Sequence, residues 1–169
     1  MRSLPWASVT IIVTLIFVAL FAPWLTPHDP INQSLADKLL PPFWQEAGSF
    51  EHVLGTDKFG RDVLTRLCYG ARVSLIVTAL ALIVGGGVGV VIGIVSGYVG
   101  GRVDSVLMRL VDAAIAFPAI LFALLLAVTM GQGLTTLVIA ISLLLWASFA
   151  RVIRGEVLAL KERDFIALA

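Results

Sequence analysis

The chain has 169 residues, of which 59 % are apolar and 14 % charged, against roughly 45–50 % and 25 % in an average soluble domain. Its 12 basic and 11 acidic residues nearly cancel, which gives no electrostatic reason to expect nucleic acid as a partner. One cysteine, Cys68, excludes an internal disulfide and a cysteine-rich metal site and reads as a small apolar packing residue.

The formal charges leave three long windows empty, Ser3 to Pro27, Val73 to Gly101 and Ala113 to Ala150, each longer than the ~20 residues that a membrane helix needs. The first gives a predicted span from Ala7 to Leu25, bracketed by Trp6 and Trp24 as interfacial anchors. A cleaved signal peptide is the alternative, since Arg2 precedes the apolar stretch, but Ala19 and Ala22 lack the A-x-A spacing. An uncleaved helix fits better.

A long loop follows, 26–73. Pro27, Pro30 and Pro41-Pro42 mark its early part as irregular. From about Arg61 the recurrence of Val63, Leu64, Leu67 and Ala71 at three- and four-residue steps predicts a helix leading into the membrane. His28 and His52 lie far apart in this loop with no metal-ligand or triad spacing around them, so no metal, cofactor or catalytic residue is assigned.

The second predicted span runs from Ser74 to Tyr98 and carries Gly85, Gly89, Gly93 and Gly97 at a four-residue step. That step places all four on one helix face, where a second backbone can approach closely. Gly85-Gly86-Gly87 lacks the Lys-Ser/Thr of a phosphate-binding loop, so ATP chemistry would belong to another chain.

Between spans two and three, Asp104, Ser105, Arg109 and Asp112 share one face at ~100° per residue, with Val103, Leu107, Leu110 and Ala114 on another. This predicts an amphipathic helix with Arg109 and Asp112 able to pair at i and i+3. The third window is too long for one crossing. Gly131-Gln132-Gly133 supplies a turn, giving predicted spans at Ala113–Met130 and Leu134–Ala150, with a kink or break expected at Phe117-Pro118.

The expected fold is therefore all-α, a polytopic membrane protein of four transmembrane helices. Its parts are the first segment and helix at 1–25, the loop at 26–73, a three-helix core at 74–150, and a charged amphipathic tail at 151–169. Arg2, Arg102, Arg109, Arg151, Arg154, Lys161 and Arg163 fall on the side of both termini, which the positive-inside rule makes cytoplasmic. Arg61, Arg66 and Arg72 on the other side argue against this, although Asp57 and Asp62 are interleaved with them.

Three stretches together resemble a known family. They are Leu54-Gly55-Thr56-Asp57 with Gly60-Arg61-Asp62, Arg66 and Tyr69 to Leu75; Asp104 through Leu107-Met108-Arg109 to Asp112 and Phe117-Pro118; and Arg151 to Ala169. They look like the second, C-type permease subunit of dipeptide, oligopeptide and nickel ABC importers of the bacterial inner membrane. The resemblance implies the N-terminal two-thirds of a type I importer permease. Its implied partners are a second permease subunit, two cytoplasmic ABC ATPases and a periplasmic substrate-binding protein, with ATP hydrolysis on the ATPases.

The family's cytoplasmic coupling segment, the EAA loop, fits a groove on the ATPase, and the resemblance places Arg154, Glu156, Lys161, Arg163, Asp164 and Phe165 in that docking role. Ala167 and Leu168 stand where the motif has glutamate and its first alanine, and Ala169 precedes the position of its glycine, so a truncated product is expected. Gly55, Thr56, Asp57, Gly60, Arg61 and Asp62 form a loop motif that either contacts the binding protein or is a local salt-bridge and capping network. Small-peptide import is the expected function, with nickel uptake or a non-transporting membrane scaffold as alternatives. An intramembrane enzyme is disfavoured because the windows hold no ionisable groups.

Overall fold

The structure is a computed structural model that describes residues 6–162. Among these the regular elements are helical: α1 Trp6–Leu25, α2 Val63–Ala81, α3 Gly87–Val99, α4 Gly101–Ala116, α5 Ala119–Met130 and α6 Leu134–Lys161. The described residues divide into two compact parts, with the boundary between Ile76 and Val77.

In the first part, α1 is apolar on every face. Its 20 residues span about 30 Å at ~1.5 Å per residue, the thickness of the hydrocarbon layer. It ends where Pro27 restricts the preceding residue, and the Thr26 hydroxyl donates to the Ala22 carbonyl at 2.9 Å. The following loop contains a single 3₁₀ turn, Leu35–Asp37. Asp62 starts α2: its Oδ2 accepts the Thr65 backbone N–H at 2.7 Å, satisfying one of the donors that a helix N-terminus leaves open.

The helical run that begins at Val63 continues to Val99, with a π-helical turn at Leu82–Gly86 where the glycines loosen the helix. It stops at Gly100, whose φ of +70° suits a residue without a Cβ. The chain then reverses into α4.

In the second part, α3 lies along α6. Gly85 meets Ser142, Gly89 meets Trp146 and Phe149, Gly93 meets Ala150 and Ile153, and Gly97 meets Val157. Both sets of numbers climb together, so the two helices run parallel. Two parallel helices require the intervening chain to travel back along their length, and α4 with α5 makes that return.

The return breaks at Phe117-Pro118, where a kink or break was expected within the span Ala113–Met130. Helix α4 ends at Ala116, Phe117-Pro118 is extended, and α5 leaves at an angle of 81° to α4. Proline supplies no N–H to continue the ladder and biases Phe117 out of the helical region. Helix α5 alone has 12 residues, about 18 Å, too short to cross. Among the described residues, three helices are thus long and apolar enough to span a membrane, and the bent α4–α5 pair makes a fourth crossing only as a unit.

Helix α6 runs past Ala150, the end of the predicted span, into the amphipathic tail. It continues to Lys161 as one helix of 28 residues, about 42 Å, and so carries its charged end beyond a ~30 Å hydrocarbon layer. The buried centre of this part is Val111, Ala147 and Ala150, with Ile92, Met108, Ala114 and Trp146 packed around it.

Candidate functional site

Two groups of polar side chains stand out, one in each part of the chain. The first is the loop motif. The Asp57 carboxylate accepts the backbone N–H of Phe59 at 2.8 Å and of Arg61 at 3.1 Å, an Asx-type turn. It also accepts Arg61 Nε at 2.8 Å and pairs with Arg66, while the Arg61 guanidinium lies 4.8 Å from the Phe59 ring centre, within cation–π range. Desolvation opposes ionisation of Asp57, but the bonds from Arg61 and from the Phe59 and Arg61 N–H groups outweigh it, holding this carboxyl well below the usual range.

Thr56 bonds in the other direction. Its Oγ1 donates to the Asp37 carbonyl and accepts the Leu40 N–H at 2.9 Å, and its own N–H donates to the Leu40 carbonyl at 3.1 Å. Gly55 and Gly60 have φ of +75° and +71°, and a Cβ on either would strike the Leu40 or Ser34 carbonyl oxygen. The motif is therefore a clamp that holds residues 34–42 against the start of α2. Asp62 completes it: besides capping α2, its Oδ1 accepts His52 Nδ1 at 3.0 Å. Burial pushes against the charge on Asp62, yet the bonds from Thr65 and His52 keep its carboxyl below the usual value.

The second group lies where α3, α4 and α6 meet. Asp104 of α4 receives Arg154 of α6, with Nη2 to Oδ2 at 2.6 Å and Nε to Oδ1, a bidentate pair. The Ser96 hydroxyl of α3, fully buried, donates to the same carboxylate. One turn back along α6 and about two turns on along α4, Arg151 Nη2 reaches Asp112 Oδ1 at 2.5 Å. Asp112 therefore pairs across to α6 and not with Arg109 along its own helix. Further out, Lys161 Nζ donates to the Tyr98 carbonyl at 2.9 Å.

These contacts sort the docking candidates. Arg154 is engaged inside the fold, Lys161 is tied to the end of α3, and Glu156 is exposed. Arg163, Asp164 and Phe165 lie outside the described residues. Sequence reasoning missed Ser96 and the Asp104–Arg154 and Asp112–Arg151 pairs. The available signal was charge of opposite sign on the amphipathic α4 and at the end of the apolar α6, too distant along the chain for any local periodicity to connect. Beneath the α4–α5 bend, Ala113, Phe117, Phe122, Leu143 and Trp146 line a pocket of ≈ 260 Å³, whose apolar lining offers packing but no ionic contact.

Residues 89–169 match the family described as binding-protein-dependent transport system inner membrane component, and residues 2–42 match the N-terminal transmembrane domain of oligopeptide transport permease C. The dipeptide transport system permease protein DppC of Bacillus subtilis is 40 % identical over 165 residues, 98 % of this chain and 50 % of the relative. DppC of Escherichia coli is 41 % identical over 155 residues, covering 92 % and 52 %. The oligopeptide transport system permease protein OppC of Bacillus subtilis is 36 % identical over 165 residues, covering 98 % and 52 %. The chain spans about half the length of these relatives. With matches over residues 2–42 and 89–169, the chain belongs to the inner-membrane permease family of binding-protein-dependent transport systems.

Proposed function

We propose that the protein acts as a permease subunit of a binding-protein-dependent ABC importer that moves short peptides across the inner membrane. The observation that carries this is the alignment of nearly the whole chain with proteins named as dipeptide and oligopeptide transport permeases. Those names favour peptides over nickel. A second permease subunit, two cytoplasmic ATPases and a substrate-binding protein would be its partners, and the ATPases would carry out the hydrolysis.

In this arrangement both termini face the cytoplasm, with the loop 26–73 on the opposite side toward the binding protein. The extended end of α6, followed by Arg163, Asp164 and Phe165, meets the ATPase. Exposed Glu156 is available for that contact. The Asp104–Arg154 and Asp112–Arg151 pairs fasten α6 to α4, so a displacement at the end of α6 moves α4 with it. Packing of α3 on α6 through Gly89, Gly93 and Gly97 extends the same motion along the membrane-spanning helices. Tight parallel packing of this kind transmits movement because packed interfaces do not deform continuously.

The test is uptake of a labelled dipeptide into vesicles that hold the protein with its partner permease, ATPases and binding protein. ATP-dependent accumulation that is outcompeted by unlabelled di- and tripeptides supports the proposal. Uptake indifferent to peptides but driven by another solute would overturn the substrate class, and loss of no activity on deleting this subunit would overturn the permease role.

A further inference from the structure

Within the loop part of the chain, His28, His52 and Asp62 each offer one ligand atom, and these atoms lie within 4.8 Å of one another. His52 and Asp62 are buried, with 9 % and 5 % of their surfaces exposed. The two imidazoles stack with ring centres 4.8 Å apart. They line a cavity of ≈ 160 Å³ into which Asp29, Asp37 and Glu51 also face, and among the described residues no lysine or arginine borders it.

We propose that this cluster is a binding site for one divalent transition-metal ion of the zinc type. Two imidazole nitrogens with one carboxylate oxygen suit zinc and its neighbours, whereas calcium and magnesium favour all-oxygen shells. At bond lengths of ~2.0–2.1 Å, donors on one tetrahedral ion sit about 3.3 Å apart. Closing the cluster from its present spacing takes side-chain movements of about 1.5 Å, and a fourth position stays open to the cavity.

The hydrogen bonds already orient the rings. His28 Nε2 lies 2.9 Å from the Glu51 carbonyl oxygen, which can only accept, so in the neutral ring Nδ1 keeps its lone pair. A backbone carbonyl holding the far nitrogen is the usual support for a metal-bound imidazole. His52 Nδ1 lies 3.0 Å from Asp62 Oδ1, close to the spacing of two donors on one ion, so both would face a metal that takes the place of the proton between them, the ring proton moving to Nε2. The partial positive charge at the start of α2 would repel a cation, but the Asp62 carboxylate sits between them and the acidic cavity wall outweighs it. An ion here would tie together the residues just after α1, the middle of the loop and the cap of α2.

The experiment uses the whole chain in detergent with any affinity tag removed, and zinc alone as the probe against a chromophoric chelator. One ion per chain is expected, with affinity falling at least tenfold in His28→Asn and in His52→Gln. His28→Asn leaves the His52–Asp62 contact and the α2 cap in place, and circular dichroism checks the helices. Cobalt bound to the unaltered chain should give the visible absorption of a four-coordinate nitrogen–oxygen site, a readout independent of how the variants fold. Absence of stoichiometric zinc at tens of micromolar, or equal binding by both variants, overturns the site.

Discussion

Gly93→Ala isolates what the α3–α6 contact demands. A Cβ at Gly93 would lie 2.7 Å from the Ala150 carbonyl oxygen and 2.8 Å from Ile153 Cβ, where non-bonded carbons prefer about 3.5–4.0 Å. Neither neighbour is the flexible end of a side chain, so the helices must part by nearly 1 Å. Overpacking of this kind costs about 1–3 kcal/mol. Alanine also gains about 1 kcal/mol over glycine in a helix, which partly masks the clash. Gly87→Ala removes that ambiguity: Gly87 is helical and nothing stands within 4 Å of its added Cβ. The difference between the two variants therefore reports overpacking alone. In detergent, the thermal midpoint of Gly93→Ala should fall several degrees below that of Gly87→Ala. Equal midpoints would refute the close approach of α3 to α6.

Asp104→Asn and Arg154→Gln should each destabilise by about 1.5–3 kcal/mol, the range for charge-assisted hydrogen bonds. The double variant should lose much less than their sum in a double-mutant cycle of unfolding midpoints. Gly60→Ala should open the loop to protease, because the backbone there has φ of +71° and the new methyl strikes the Ser34 carbonyl; equal cleavage rates would contradict the clamp. Asp57 should make loop stability acid-sensitive. Its folded carboxyl is held below the ordinary 3.8, so its contribution is complete above that value and fades as pH falls beneath it. The gap in thermal midpoint between parent and Asp57→Asn should be full at about pH 6 and shrink below about pH 4.

Membrane helices were legible because charge-free windows are a strong signal: a buried charge in hydrocarbon is costly, so its absence over 20 residues carries information. The four-residue glycine step fixed a face of α3, and in the structure that face meets α6. The Phe117-Pro118 break was visible as a possibility. That it would turn the chain by 81° and leave α5 short depends on how α4 and α5 pack on α6, which periodicity does not encode. The tail was legible as charged and amphipathic, but not that it continues α6 without a break to Lys161. Contacts that join distant positions were the least legible. Arg109 and Asp112 had the right spacing to pair, yet Asp112 pairs with Arg151, because α4 and α6 are neighbours in space. His28 and His52 lacked a ligand spacing for the same reason. The clamp around Thr56 and Asp57 brings them together, and only a fold can place the α2 cap beside both.

If the chain works as an ABC importer permease, the far end of α6 meets the ATPases. The direct measurement is site-specific photo-crosslinking from position 156 in membranes that hold the candidate ATPases, with position 12 of α1 as the control. An ATPase adduct is expected from Glu156 and none from Ile12, with the yield changed by ATP. Absence of any adduct from Glu156, in membranes where peptide uptake is intact, would contradict that contact.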